Sequence, residues 1–237
     1  MSAARRTRPI VAIDGPAGAG KSTVARRLAE TLDYTLVDTG AIYRAVALAA
    51  ERAGVSWGDG RAVAELAQAL VARRGLVFES GGGGDARGVR VWLDGEDVAQ
   101  SIRTASIASG ASQVSAHPAV RDALLELQRQ AGRAGGVVLE GRDIGTVVFP
   151  DAEVKFFLTA RPEVRARRRH EELSAKGTAA TFEQTLAEVL RRDARDTERP
   201  VAPLRRADDA TLLDNSDISV DETVERMVAV IRARAGA

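Results

Sequence analysis

Cysteine is absent from the 237-residue chain, which excludes a disulfide framework and thiol chemistry alike. Two histidines leave little scope for a zinc site. No apolar run reaches the length of a membrane span, and the amino-terminal stretch lacks the apolar core of a signal peptide. A cytoplasmic protein with no membrane partner is therefore expected. The single asparagine, Asn215, is followed by Ser216, which counts against a guanine-specific switch with its Asn-Lys-x-Asp motif. Lysine occurs only at positions 21, 155 and 176. No internal repeat is evident. What is present, 45% hydrophobic and 28% charged residues with a net charge of +1, suits a globular α/β domain carrying an insertion, or two small lobes. It argues against a broad nucleic-acid surface.

The chain is organised around Pro9 to Thr23, PIVAIDGPAGAGKST. An apolar strand, Ile10 to Asp14, runs into G-x-x-x-x-G-K-[ST], and helical apolar spacing follows from Thr23 to Glu30; this is the P-loop pattern in its proper context. Backbone can wrap a phosphate only where side chains are missing. Gly15, Gly18 and Gly20 thus let successive N–H groups converge on one anion at the positive end of a helix. Asp14, Pro16, Ala17, Ala19 and Thr23 complete the expected ATP-binding segment. Lys21 supplies a cation for the β- and γ-phosphates, and the Ser22 hydroxyl is a candidate Mg²⁺ ligand.

Residues 1–8 read as a disordered basic arm ahead of a kinase-sized domain over 9–237. Tyr34 to Asp38 reads as a second strand, with Thr39 as N-cap of a helix from Ala41 to Ala53. Tyr43 and Arg44 then stand at a strand end, where open parallel sheets bind ligands, although core packing for Tyr43 and solvation for Arg44 are equally open. After a helix over Arg61 to Arg73 the period shifts. Leu76-Val77-Phe78, Val89 to Leu93 and Glu96-Asp97-Val98 look like strands of a β-rich lobe, two of them joined by the glycine-rich loop Ser80 to Gly88. His117-Pro118 opens a helix running to Arg133, His117 reading as a capping or surface residue. Val137-Val138-Leu139 is a buried parallel strand that delivers Glu140-Gly141-Arg142-Asp143 to the P-loop edge, and charges placed there are costly without partners. Glu140 stands where an acidic residue assists Mg²⁺ through water in P-loop enzymes.

Beyond the strand Val154 to Leu158, residues 161–206 hold twelve Lys or Arg against eight Asp or Glu. A helix carries Arg165, Arg167, Arg168 and Arg169, with His170 solvated. A capping box at Thr181 to Gln184 opens a second helix, on which Arg192, Arg195, Asp196 and Arg199 share a face. This hairpin, about 161–198, reads as a lid, because phosphoryl transfer must exclude water. Strands alternating with helices give a doubly wound parallel sheet, completed by a strand at Ala210 to Asp214 and a helix capped at Ser219.

The strings DGPAGAGKST, DTGAIYRAVAL, EGRDIGTVVFPDA and RRDARDTERPVAPL closely resemble bacterial cytidylate kinases, a branch of the P-loop nucleoside monophosphate kinases. The resemblance spans nearly the whole chain. It implies transfer of the γ-phosphoryl of ATP to CMP or dCMP with Mg²⁺, by a monomer with an acceptor lobe at about 39–133. It implies that Arg44, Arg142 and Arg199 hold the acceptor phosphate with Thr39 close by, that Arg192 and Asp196 face sugar and phosphate, and that Ser112, Arg121 and Asp143 read the base. Arg165, Arg168, Arg192 and Arg195 become lid candidates toward ATP and the transferring group. The catalytic set is then Lys21, Arg142, Arg192 and Arg195. A carboxylate suits cytosine's amino group, whereas uracil would oppose O4 to Asp143 and leave two acceptors unpaired. No general base is required. Thr39 replaces the serine, and Glu140 the aspartate, of some members, and Gly81 to Gly84 lengthen a hairpin of unread role. The residues alone still allow a kinase for another small acceptor, or nucleic-acid binding through the arginine hairpin.

Overall fold

The computed structural model describes residues 6–79, 90–175 and 177–235. The elements follow the chain as β1 (Ile10–Asp14), α1 (Lys21–Leu32), β2 (Thr35–Asp38), α2 (Thr39–Arg52), α3 (Gly60–Ala72), β3 (Leu76–Glu79), β4 (Arg90–Leu93) and β5 (Glu96–Asp97). They continue through α4 (Ala105–Val114), α5 (Pro118–Gly132), β6 (Val137–Gly141), β7 (Val154–Thr159), α6 (Pro162–Ala175), α7 (Phe182–Glu198), β8 (Thr211–Asp214) and α8 (Val220–Ala235). Five strands form a wholly parallel sheet in the order β2-β6-β1-β7-β8. Its central strands are apolar because both faces are covered. Val11, Ile13, Val138, Phe156 and Leu158 pack under α1 and α8 against Leu28, Met227 and Ile231. Ile10, Ala12, Val37 and Leu139 pack on the other face with Ile144, Val148 and Phe149.

Register decides where the chemistry falls. Asp14 pairs with Gly141 and Asp38 with Glu140, so the carboxyl ends of β1, β2 and β6 deliver the P-loop, α2 and the Glu140–Asp143 segment to one edge. The β3-β4-β5 strands form a separate antiparallel sheet. They share a core with α2 to α5 in which Ile42, Val46, Leu70, Val91, Ile107 and Leu124 are buried. The glycine-rich loop expected at 80–88, with Gly81 to Gly84, lies outside the described residues.

Four local expectations are corrected. Asp38, not Thr39, caps α2, because its carboxylate accepts from Ala41 N–H at 3.1 Å while the Thr39 hydroxyl donates to the Glu140 carbonyl at 2.8 Å. His117 holds the N-cap position of α5 without capping it, and a ring nitrogen instead meets the Trp57 carbonyl at 2.8 Å. His170 is half-buried, edge-on to the ring of Phe182. Of the basic arm, residues 1–5 lie outside the description, but Arg6 pairs with Asp151 at 2.8 Å and Glu153 at 3.0 Å, so residues 6–8 are bound to the domain.

Candidate active site

Gly15 begins the phosphate loop with φ +151°, and a Cβ there would run into the Leu158 carbonyl oxygen of β7. Gly20 caps α1 at φ +82°. Both positions require glycine, the first for close approach and the second for a left-handed turn. Three tethers hold the loop from the side: Asn215 Nδ2 donates to the Ala19 carbonyl at 2.9 Å, Arg165 Nη1 donates to that of Ala17 at 3.1 Å, and Lys21 Nζ donates to that of Pro16 at 2.7 Å.

The loop floors a cleft of about 870 Å³ lined by Ala17, Gly18, Gly20 to Thr23, Thr39, Arg44, Ser112, Arg121, Glu140, Arg142, Asp143, Arg168, Arg192, Asp196 and Arg199. The proposed ligands for the two phosphates and the base thus converge from five stretches of sequence. Within the cleft the groups fall into two clusters. Near the P-loop, Ser22 Oγ donates to Glu140 Oε2 at 3.0 Å, Arg44 pairs with Asp38 at 2.6 Å, and Arg142 Nε pairs with Asp196 at 2.8 Å. Deeper, the Asp143 carboxylate is gripped by Arg121 and meets Arg199 Nη2 at 3.4 Å. The Tyr43 ring lies 5.5 Å beneath the Arg121 guanidinium.

Among the described residues, four buried polar atoms that belong to the cleft lining have no partner: Arg44 Nε, Ser112 Oγ, Glu140 Oε1 and Arg192 Nε. Buried polar groups are normally satisfied, so the cleft is built for a polar occupant. Its charges are strained in the same sense. Burial, reinforced by Arg142, drives the Lys21 ammonium well below its ordinary range. Burial and the same Arg142 push Arg192 down to about 10 against the pull of Asp196. Asp196, although burial raises it, is held low by Arg142. Burial and then the neighbouring Asp38 raise Glu140 to about 7, and burial raises Asp14 to about 6.

Glu140 therefore destabilises the empty protein. A carboxylate whose folded-state pKa lies above its unfolded value favours folding only while protonated, and that contribution is lost as pH rises from about 4.5 toward about 7. Glu140→Gln is expected to stabilise the empty protein at pH 8 by on the order of 3 kcal/mol, with the advantage gone at pH 4. Thermal melts of both proteins across that range measure it. A constant difference at all pH values would contradict the assignment.

Six sequence-predicted residues do not line the cleft. Gly15, Pro16 and Ala19 contribute the backbone frame only. Asp14 turns beneath the sheet edge, where its oxygens accept from Ile144 N–H at 2.7 Å and Gly145 N–H at 2.8 Å. Arg165 is buried, with Nε on the Ala160 carbonyl and both terminal nitrogens on Asp193 at 3.0 and 2.6 Å, so it splints α6, α7 and the P-loop together. Arg195 is exposed: the buried stripe of α7 runs through Val189 and Asp196, and one position earlier the helix has turned away by about 100°. Conversely, sequence reasoning passed over Asn215, which follows β8, binds the loop and accepts from Arg168 at 3.1 Å. Its signal was a polar residue at a strand's carboxyl end beside β7. Asp38 and Asp193, as partners of predicted arginines, were also missed.

A parallel sheet with a glycine-walled phosphate loop at its carboxyl edge, facing arginines from a helical hairpin and from β6, defines a P-loop phosphotransferase. A chain from Eubacterium ventriosum, described as an uncharacterized protein, shares the fold with a TM-score of 0.53 at 12% identity, covering 95% of this chain and 99% of that one. The profile of cytidylate kinase matches residues 11–233. Cytidylate kinase of Geobacter sulfurreducens is 51% identical over 234 residues, 99% of this chain and 97% of its own length. That of Syntrophotalea carbinolica is 52% identical over 225 residues, 95% and 92% respectively. The chain belongs to the cytidylate kinase family, the ATP-dependent kinases that phosphorylate CMP or dCMP. Among the described residues no helix is long and apolar enough to cross a membrane.

Proposed function

We propose that the cleft holds two nucleotides with their phosphates facing, ATP on the P-loop and CMP or dCMP between Arg44, Arg142 and Asp143. One observation carries this reading: Lys21, Arg44, Arg142 and Arg192 crowd a buried space in which two of their guanidinium Nε atoms lack partners. Like charges so desolvated are offset only by an anion. The polyphosphate of ATP and the acceptor phosphate supply it, and guanidinium forks suit their oxygens.

Lys21 neutralises the transferring phosphoryl from the donor side, and Arg142 and Arg192 from the acceptor side. Arg44, Arg142 and Arg199 hold the acceptor phosphate, with Thr39 close by. Asp196, already engaged by Arg142, faces the sugar. Ser112, Arg121 and Asp143 read cytosine. The acceptor phosphate is an anion already, so alignment and charge stabilisation do the catalysis. Ser22 Oγ and the unpartnered Glu140 Oε1 offer oxygens of the kind that suit Mg²⁺, Glu140 acting through water. The ion, when bound, neutralises charge on the donor phosphates. Residues 39–133 serve as the acceptor lobe and the hairpin 161–198 as the lid, with Arg168 facing the P-loop side. On this reading the chain works as a cytoplasmic monomer on nucleotides, with no nucleic-acid partner.

Coupled ADP release across CMP, dCMP, UMP, AMP, GMP and shikimate tests the acceptor. Strong turnover of CMP and dCMP, weak turnover of UMP and none of the rest is expected, whereas strong turnover of AMP without CMP would end the assignment. Asp143→Asn replaces an acceptor oxygen by a donor facing cytosine's amino group. It is expected to raise KM for CMP tenfold or more and that for ATP less than twofold. Equal changes in both would refute the base-reading role.

A further inference from the structure

We propose that Asp14 is a positioning residue that locks the base-reading segment to the root of the phosphate loop. The proposal rests on the reading of Asp143 as the group that meets cytosine. Asp14 closes β1 and is 4% exposed. Its two oxygens are spent on the backbone amides of Ile144 and Gly145, the two residues that follow Asp143. The Asp143 carbonyl in turn accepts from Val147 N–H at 2.9 Å and Val148 N–H at 3.2 Å, so the segment is pinned on both sides of the side chain that enters the cleft. Ile144 is fully buried beside it.

A carboxylate buried against neutral amides is costly, and a core residue of similar size would fold more easily there. What Asp alone supplies is two acceptors at a fixed spacing. Asparagine offers one, and turns its amide donors on the second N–H. The next residue, Gly15, abuts the Leu158 carbonyl. Donor loop and base reader are thus joined through a buried side chain in addition to the backbone pairing of β1 with β6. The P-loop keeps its own tethers to Asn215 and Arg165, so loosening Asp14 shifts the acceptor side selectively.

The test compares Asp14→Asn and Gly145→Ala with Asp143→Asn by calorimetric titration with CMP and, separately, ADP, alongside kcat/KM for CMP and UMP. In Gly145→Ala the new Cβ would crowd the Lys155 side chain, 3.0 Å from Cδ, and rest against Asp14 Oδ2 at 3.4 Å, which presses on the segment that Asp14 holds while leaving Asp14 in place. Asp14→Asn is expected to weaken CMP at least tenfold, hold ADP within twofold and narrow the preference for CMP over UMP. Gly145→Ala is expected to do the same by about threefold. A general loss of packing would weaken both ligands and leave the CMP to UMP ratio intact. The proposal is overturned if both variants bind CMP like the parent, or lose ADP and CMP equally. Should Asp14→Asn not fold, Gly145→Ala decides by the same criteria. If Asp143→Asn weakens CMP and the other two do not, only the role of Asp14 fails. If Asp143→Asn leaves CMP binding unchanged, the base-reading assignment fails with it.

Discussion

Lys21→Met is expected to lower kcat by about a thousandfold with both CMP and dCMP, without lowering the melting temperature of the empty protein. The two halves of that result have one cause. Within the cleft the ammonium is 6% exposed, donates only to the Pro16 carbonyl among the described residues, and is disfavoured by burial and by Arg142. Removing it gives up one tether of the loop and the attraction of Glu140, and in exchange relieves the burial of the charge and the repulsion from Arg142. In the reacting complex the same charge lies against the phosphoryl group in transit, where a preorganised cation in a dry site contributes about 4 kcal/mol. Steady-state kinetics together with thermal melts check both. A variant that kept a tenth of the parent kcat would remove Lys21 from the chemistry.

Arg192→Met is expected to cost about a hundredfold or more in kcat while raising the stability of the empty protein. Its Nε has no partner among the described residues, and its pKa is pushed down to about 10 by burial and by Arg142. It is therefore held in a place that suits an anion better than the empty state. Because the guanidinium offers a planar fork to phosphate oxygens and an ammonium does not, Arg192→Lys is expected to recover only part of the loss. Full recovery by lysine would mean that bulk charge, and no specific geometry, is what position 192 supplies. Arg195→Met is the matched control: exposed and outside the cleft, it is expected to change kcat less than twofold.

Much of this was legible from the chain alone, for identifiable reasons. The apolar runs Ile10–Ile13 and Val137–Leu139 announced buried parallel strands, and the glycines between Asp14 and Lys21 announced a backbone-lined anion site. The charged string after Leu139 favoured a functional reading, because two acids and an arginine at the end of a buried strand are costly without partners. What stayed hidden was direction and pairing. Asp14 sits beside the P-loop in sequence, yet its side chain faces the other way, toward amides 130 positions on. Arg165 and Arg195 carry the same guanidinium as Arg192, but the turn of each helix and the location of Asp193 decide which of them reaches the cleft. Asn215 gave no motif, because its role is set by β8 lying next to β7. Those relations are tertiary, and local spacing cannot encode them.

The position of the bound pyrimidine is decisive. A crystal structure of the protein with ADP and CMP bound together is predicted to place the cytosine amino group within hydrogen-bond distance of the Asp143 carboxylate, with the CMP phosphate between Arg44 and Arg142. A CMP ring bound elsewhere, with Asp143 still closed on Arg121 and Arg199, would contradict it.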